Sequence, residues 1–181
     1  YTIEPWETND EALRRQFPYE YQHKDALTFV VEVAKELTLQ EEHILTLHQT
    51  VMNSLHEDAG QYRKKPVYLK AVTKDKIEYM GMPYFRQVPR LMRDVVKQID
   101  KLNFKKKVSE EEVWNIHHYF ETIHPFSDGN GRIGRLLLNW LSLRHRDKFI
   151  VVTNDNKKAY YKDIEIFQQQ FKKERTDVKF Y

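Results

Sequence analysis

The chain has 181 residues, 40% hydrophobic and 31% charged, which suits one globular domain with a sizeable core and excludes a disordered or fibrous protein. Thirty basic residues against 27 acidic ones leave a net charge of +3, too balanced for an electrostatic footprint on nucleic acid, and the absence of cysteine excludes disulfides, thiolate nucleophiles and cysteine zinc sites. No apolar run reaches the roughly 18 residues of a membrane span and no signal-peptide pattern opens the chain, so a cytoplasmic protein with no membrane partner is expected.

Residues 1–22 are polar and aromatic, with Pro5 and Pro18, and read as an irregular arm. Residues 24–36 follow as a helix, although Phe29 to Val31 and Val33 also permit a strand. Thr38-x-x-Glu41 has capping-box spacing and predicts a helix start. From there Ile44, Leu47, Val51 and Leu55 repeat at helical intervals, up to a stop before Ala59-Gly60. Between Pro66 and Pro83 the period changes. Residues 66–72 and 76–80 are β-branched or aromatic runs separated by Thr73-Lys74-Asp75, which predicts a β-hairpin. A lone hairpin is not stable in water, so it must lie over a helical body. A further helix follows Pro89, with Leu91, Val95 and Ile99 in phase. Ser109-x-x-Glu112 is a second capping box, opening a helix with Val113, Ile116, Phe120 and Ile123 on one face. Residues 131–145 form a helix that buries Ile133, Leu136, Leu137, Trp140 and Leu141, and 158–172 form a last one carrying Tyr160, Tyr161, Ile164 and Phe167. The architecture expected is mainly α with one hairpin.

The most informative stretch is residues 124–135, His-Pro-Phe-Ser-Asp-Gly-Asn-Gly-Arg-Ile-Gly-Arg, which holds three of the five glycines of the chain. These glycines sit where a helix begins, and a helix N-terminus offers unpaired N–H groups and the positive dipole end to an anion. Arg132, Arg135 and Asn139 are spaced three and four apart and share a helix face opposite the apolar set. Arginine suits phosphate because its planar fork donates two parallel hydrogen bonds. Asp128 adds an oxygen of the kind Mg²⁺ takes beside nucleotide phosphates. Taken singly, each residue has an ordinary reading: a structural histidine, an N-cap aspartate, a turn, surface charges. Together they point to chemistry on a nucleotide. The segment is not a Walker-type phosphate loop, because G-x-x-x-x-G-K-S/T is absent.

His124 to Arg135 matches throughout the signature of the Fic family, HPFx(D/E)GNGRxxR, and the chain resembles that family over residues 37–170. Ala59-Gly60-Gln-Tyr-Arg63-Lys-Lys-Pro-Val67 resembles the segment ahead of the family's flap, and Tyr160-Tyr161 the aromatic pair near the nucleotide base. The resemblance implies a helical bundle with one β-hairpin flap over the active site, an N-terminal arm and helix at 1–36 and a catalytic domain at 37–181. It implies AMP transfer from ATP·Mg²⁺ (or Mn²⁺) to a Ser, Thr or Tyr hydroxyl of a protein. His124 would be the base and Asp128 the metal ligand. Gly129, Asn130 and Gly131 would sit at the α-phosphate, Arg132 and Arg135 at the outer phosphates, and residues 66–83 would dock the protein substrate. Other phosphate donors, CDP-choline among them, and a non-catalytic nucleotide-binding module are the alternatives. Phosphotransfer of the Doc type is disfavoured, because Gly131 stands where those proteins carry lysine. Thr28-Phe-Val-Val-Glu32 has the spacing of the family's inhibitory Ser/Thr-x-x-x-Glu-Gly/Asn motif, with Val33 departing from it. Glu32 is therefore a candidate partner for Arg135, with a plain helix-surface glutamate as the other reading. The resemblance leaves a homodimer open.

Overall fold

The computed structural model describes residues 2, 4–6, 8–53, 55–72 and 75–181, which form seven α-helices and one antiparallel hairpin. The N-terminal stretch is not an irregular arm beyond Thr8. Thr8 caps α1 (Asn9–Gln16): its hydroxyl accepts from the Glu11 N–H, and the Glu11 carboxylate accepts from the Thr8 N–H. Pro18 then opens α2 (Pro18–Val33), where a missing N–H costs nothing and φ is already helical. The Val-rich run in α2 is helical because Ala26, Val30 and Ala34 bury one stripe in the main core.

The cap of helix α3 (Glu41–Met52) lies two residues after the expected Thr38. Gln40 is the N-cap, with the His43 ring accepting from its N–H, whereas the Thr38 hydroxyl accepts from Arg144. Leu55 lies beyond the helix and is exposed. The hairpin pairs β1 (Tyr68–Val72) with β2 (Ile77–Gly81), Leu69 opposite Met80 and Lys70 opposite Tyr79. Its turn was expected at Thr73-Lys74-Asp75, of which Thr73 and Lys74 lie outside the described residues. The hairpin stands on a base made by the C-terminal segment: Pro83 bridges Phe180, Tyr181 donates its N–H to the Met82 carbonyl, and Tyr181 stacks on Tyr84 with centroids 4.4 Å apart. This is how two strands are held in water without a larger sheet.

The next helices are α4 (Val88–Asn103) and α5 (Glu110–Ile123), the latter opened by the expected Ser109–Glu112 capping box. The long helices α6 (Asn130–Arg146) and α7 (Lys157–Glu174) follow. The expected positions in α6 are buried, and Trp140 at its centre also donates from Nε1 to the Leu37 carbonyl. Because α5 and α6 pack on each other and on α2, α3 and α7, the short connection between them is pinned at the heart of the bundle. No helix among the described residues is long and apolar enough to cross a membrane.

Candidate nucleotide site at the start of α6

The loop of residues 124–129 turns the chain from α5 into α6 through two left-handed residues. His124 has φ 51° and Gly129 φ 82°. Glycine is needed at 129 on two counts, since a Cβ there would also press on the Met52 sulfur. A histidine at positive φ is strained, and the surroundings hold it there. The Arg63 guanidinium, buried without a carboxylate, donates from Nε to the His124 carbonyl (2.7 Å) and from Nη2 to the Pro83 and Ile123 carbonyls. Its backbone N–H donates to the Pro125 carbonyl. Since arginine stays protonated, such a cage of carbonyls holds the end of α5 and the foot of the hairpin on one point.

Three further contacts shape the loop. The Asn130 side chain makes a reciprocal pair with the Phe126 backbone, 2.9 and 2.8 Å, so it is spent on the loop and not offered to phosphate as expected. The Asn130 backbone, in the first turn of α6, still contributes an unpaired N–H. His48 on α3 stacks flat on Phe126 at 3.7 Å. Its Nδ1 accepts from the Gly60 N–H, which fixes the neutral tautomer in which Nε2–H donates to the Asp128 carbonyl.

A pocket of about 270 Å³ opens over this loop, lined by His124, Ser127 to Arg132, Arg135 and Tyr161. Burial, helped by the charge of Arg63, pushes the His124 imidazole down to about 4, against the smaller pull of the Glu121 carbonyl and Asp128. At neutral pH the ring is uncharged and retains a lone pair for a proton. The Asp128 side chain is 61% exposed; Oδ1 accepts from the Gly129 N–H and lies 4.0 Å from Arg132. No cluster of three metal-ligating side chains occurs among the described residues. Asp128 therefore fits a divalent cation as a single protein oxygen, with nucleotide phosphates supplying others.

The two arginines have different surroundings. Arg132 lies over the Tyr19 ring of α2 at 4.5 Å, and its Nη1 is buried with no hydrogen-bond partner. Arg135 rests against the Tyr160 hydroxyl. That hydroxyl meets Nε2 of the buried His117 at 2.9 Å, and His117 Nδ1 meets the Gly134 carbonyl at 2.9 Å. The tautomer follows: Nδ1–H donates to the carbonyl and Tyr160 O–H donates to Nε2. Tyr160 is thus a support for Arg135, not a wall for a base as expected; Tyr161 alone of the pair faces the pocket. Beside them Glu121, 7% exposed, has a carboxyl that burial raises to about 7 despite the Arg135 charge, and it fills the space that Gly134 leaves on α6. Asn139 also departs from the expected polar stripe. It is buried, with its amide bonded to both the Ile150 N–H and the Ile150 carbonyl.

Glu32 is not brought to this site. It is exposed on the last turns of α2, nine residues beyond His23, about 13 Å of helix. The α2 residues that reach the arginines are Tyr19 and His23. Sequence reading missed His48, His117, Glu121, Tyr19 and His23. The first three carried a signal: His48 lies four residues after Ile44, and His117 and Glu121 directly follow the apolar positions Ile116 and Phe120, so buried polar roles were legible from phase.

Residues 38–142 match the sequence profile of the Fic/DOC family. The chain is 28% identical over 127 residues to protein adenylyltransferase fic-1 of Caenorhabditis elegans, a match covering 68% of this chain and 23% of that protein. It is 29% identical over 125 residues to a probable protein adenylyltransferase of Aquifex aeolicus, covering 64% of this chain and 36% of that one. The chain thus spans well under half the length of these relatives. Among solved structures, a Fic domain containing signaling protein from Bacteroides thetaiotaomicron superposes with a TM-score of 0.69 at 24% identity, over 86% of this chain and 63% of that one.

Proposed function

The chain belongs to the Fic/DOC family, and from that premise we propose that it transfers AMP from ATP to a Ser, Thr or Tyr hydroxyl of a target protein or of itself. The observation that carries this reading is the union, in one pocket, of a neutral imidazole, the open N-terminus of α6 and two arginines. The N–H groups of Asn130 and Gly131, in the first turn of α6 beyond Gly129, and the dipole of α6 stabilise charge on the α-phosphate as it becomes crowded. Arg132 and Arg135 hold the outer phosphates. His124 takes the hydroxyl proton while the oxygen attacks the α-phosphorus; the bond from the α-phosphorus to the bridging oxygen breaks and pyrophosphate leaves. Asp128 would hold Mg²⁺ or Mn²⁺, which when bound would neutralise phosphate charge.

A groove of about 960 Å³ runs between β2 and α7, and Tyr161 borders both it and the loop pocket. The outer edge of β2 has no strand partner among the described residues. An extended target segment fits as a third strand there, its backbone registered by β2 and its hydroxyl delivered past Tyr161 toward His124. Incubation with labelled ATP and divalent cation, and separately with CDP-choline, followed by mass spectrometry of intact protein, tests the proposal. AMP on protein, lost in EDTA and in His124→Ala, is the expected result. Phosphocholine on protein, or nucleotide binding with no covalent label, overturns it.

A further inference from the structure

Arg135 divides two cavities. One is the loop pocket already described. The other, about 160 Å³, lies behind it and is lined by His23 and Leu27 of α2, Leu136 and Asn139 of α6, and residues 149–152. Its far wall is fixed, because Asn139 holds the Ile150 backbone by two hydrogen bonds of 2.7 and 2.9 Å. Groups without a hydrogen-bond partner lie on either side of Arg135, Arg132 in the loop pocket and His23 in the second cavity. Among the described residues no carboxylate forms an ion pair with Arg135, Arg132 Nη1 is buried without a partner, and so is Nδ1 of His23. The charged and titratable groups around His23 are the two arginines of α6, with Tyr19 one turn earlier on its own helix and Glu121 on the far side of Arg135. Burial and the two guanidinium charges keep the His23 ring neutral. A neutral imidazole still owns one N–H donor.

We propose that His23 and Arg135 form the seat for the terminal phosphate of the nucleotide, so that α2 completes the binding site. The inference rests on the nucleotide reading of the loop given above. Arg132 and Arg135 are three residues apart, about 4.5 Å along α6. A polyphosphate anchored at the helix N-terminus therefore runs up α6 past Arg132 and ends at Arg135, where His23 faces it from the neighbouring helix. Leu27 and Leu136 give the seat an apolar side, and a charge-assisted bond beside apolar walls is stronger than one in bulk water. A diphosphate or monophosphate stops short of this seat, so the second cavity discriminates by phosphate-chain length.

The test measures equilibrium binding of Mg-ATP and of AMP by calorimetry in a His124→Ala background, where no turnover intervenes. Adding His23→Ala should weaken ATP on the order of tenfold, as expected for loss of one hydrogen bond to a charged group, and leave AMP unchanged. His23→Gln, which restores a donor, should recover part of the ATP affinity. Equal loss of ATP and AMP affinity, or no loss of either, overturns the proposal while leaving the loop as the nucleotide site. Failure of the His124→Ala parent to bind ATP overturns the nucleotide reading itself and the inference with it.

Discussion

At the scale of single residues, the site depends on a histidine held uncharged. A hydroxyl is a poor nucleophile until its proton is removed, and a positioned base contributes about 10²–10⁴-fold. His124→Ala should lower the transfer rate by that amount and leave thermal stability close to that of the parent. The pH profile separates this role from a structural one. The ring is active when deprotonated and is pushed down to about 4, so the acid limb of kcat/KM should fall well below the ordinary histidine value of 6.5. An acid limb at or above 6.5 would remove His124 from the role of base. Glu32 makes the complementary prediction. Exposed and distant from Arg135 along α2, it should have no hold on the site, and Glu32→Ala should leave self-labelling with ATP unchanged. A several-fold rise on that substitution would show that the helix repositions in solution.

At the scale of elements, the close approach of α5 to α6 decides where Arg135 points. Gly134 has no side chain, and the Glu121 carboxylate occupies the space a Cβ would take. Gly134→Ala should therefore destabilise the fold by about 1–3 kcal/mol through overpacking, read from denaturant midpoints. The double substitution with Glu121→Ala should recover most of that loss, since the severest clash is with that side chain and the His117 ring is met less closely. If the pair is instead additive, the helix spacing and not the carboxylate is the constraint. The same contact aligns the relay from the Gly134 carbonyl through His117 and Tyr160 to Arg135, so strain here reaches the phosphate clamp without touching nucleotide. The hairpin depends on another element in the same way. Its foot is held by Arg63, Tyr84 and Tyr181, and Arg63 also fixes the carbonyl of His124. Flap and catalytic loop therefore share one buried anchor.

At the scale of the whole molecule, every histidine with a shifted pKa is shifted down: His23, His48, His117, His118, His124 and His145. Burial is the leading cause in each. Such groups contribute stability that is complete above 6.5 and drains as pH falls through their folded values, about 4 for His124 and about 3 for His117. Glu121 acts with the opposite sign. Raised from 4.5 to about 7, it favours the fold below 4.5 and loses that contribution as pH rises through 7. Between pH 4.5 and 6.5 the histidines win by number, so stability should fall on acidification. Glu121→Gln removes the opposing group and should steepen that fall by up to one proton, about 1.4 kcal/mol per pH unit. Urea unfolding at pH 5, 6 and 7 measures both slopes. A slope unchanged by the substitution would mean that Glu121 is ionised throughout.

What the sequence determined by itself was set by short-range physics. Capping at Ser109, helical phase through Val113 to Ile123, the change of period at the hairpin and the glycine-rich start of α6 each depend on neighbours a few residues apart, and each is where local spacing places it. The twelve residues from His124 to Arg135 were legible as a site for the same reason: they are contiguous. The tertiary structure decided everything that depends on residues brought together from separate helices. It spent the Asn130 amide on Phe126, turned Tyr160 inward onto His117, tied Asn139 to Ile150, left Glu32 in solvent and placed Tyr19 and His23 on the arginines. A helix face tells which side chains point the same way. Which neighbour satisfies a buried donor or acceptor is fixed only when helices pack, because an unmet polar group there is expensive and the packing must find it a partner.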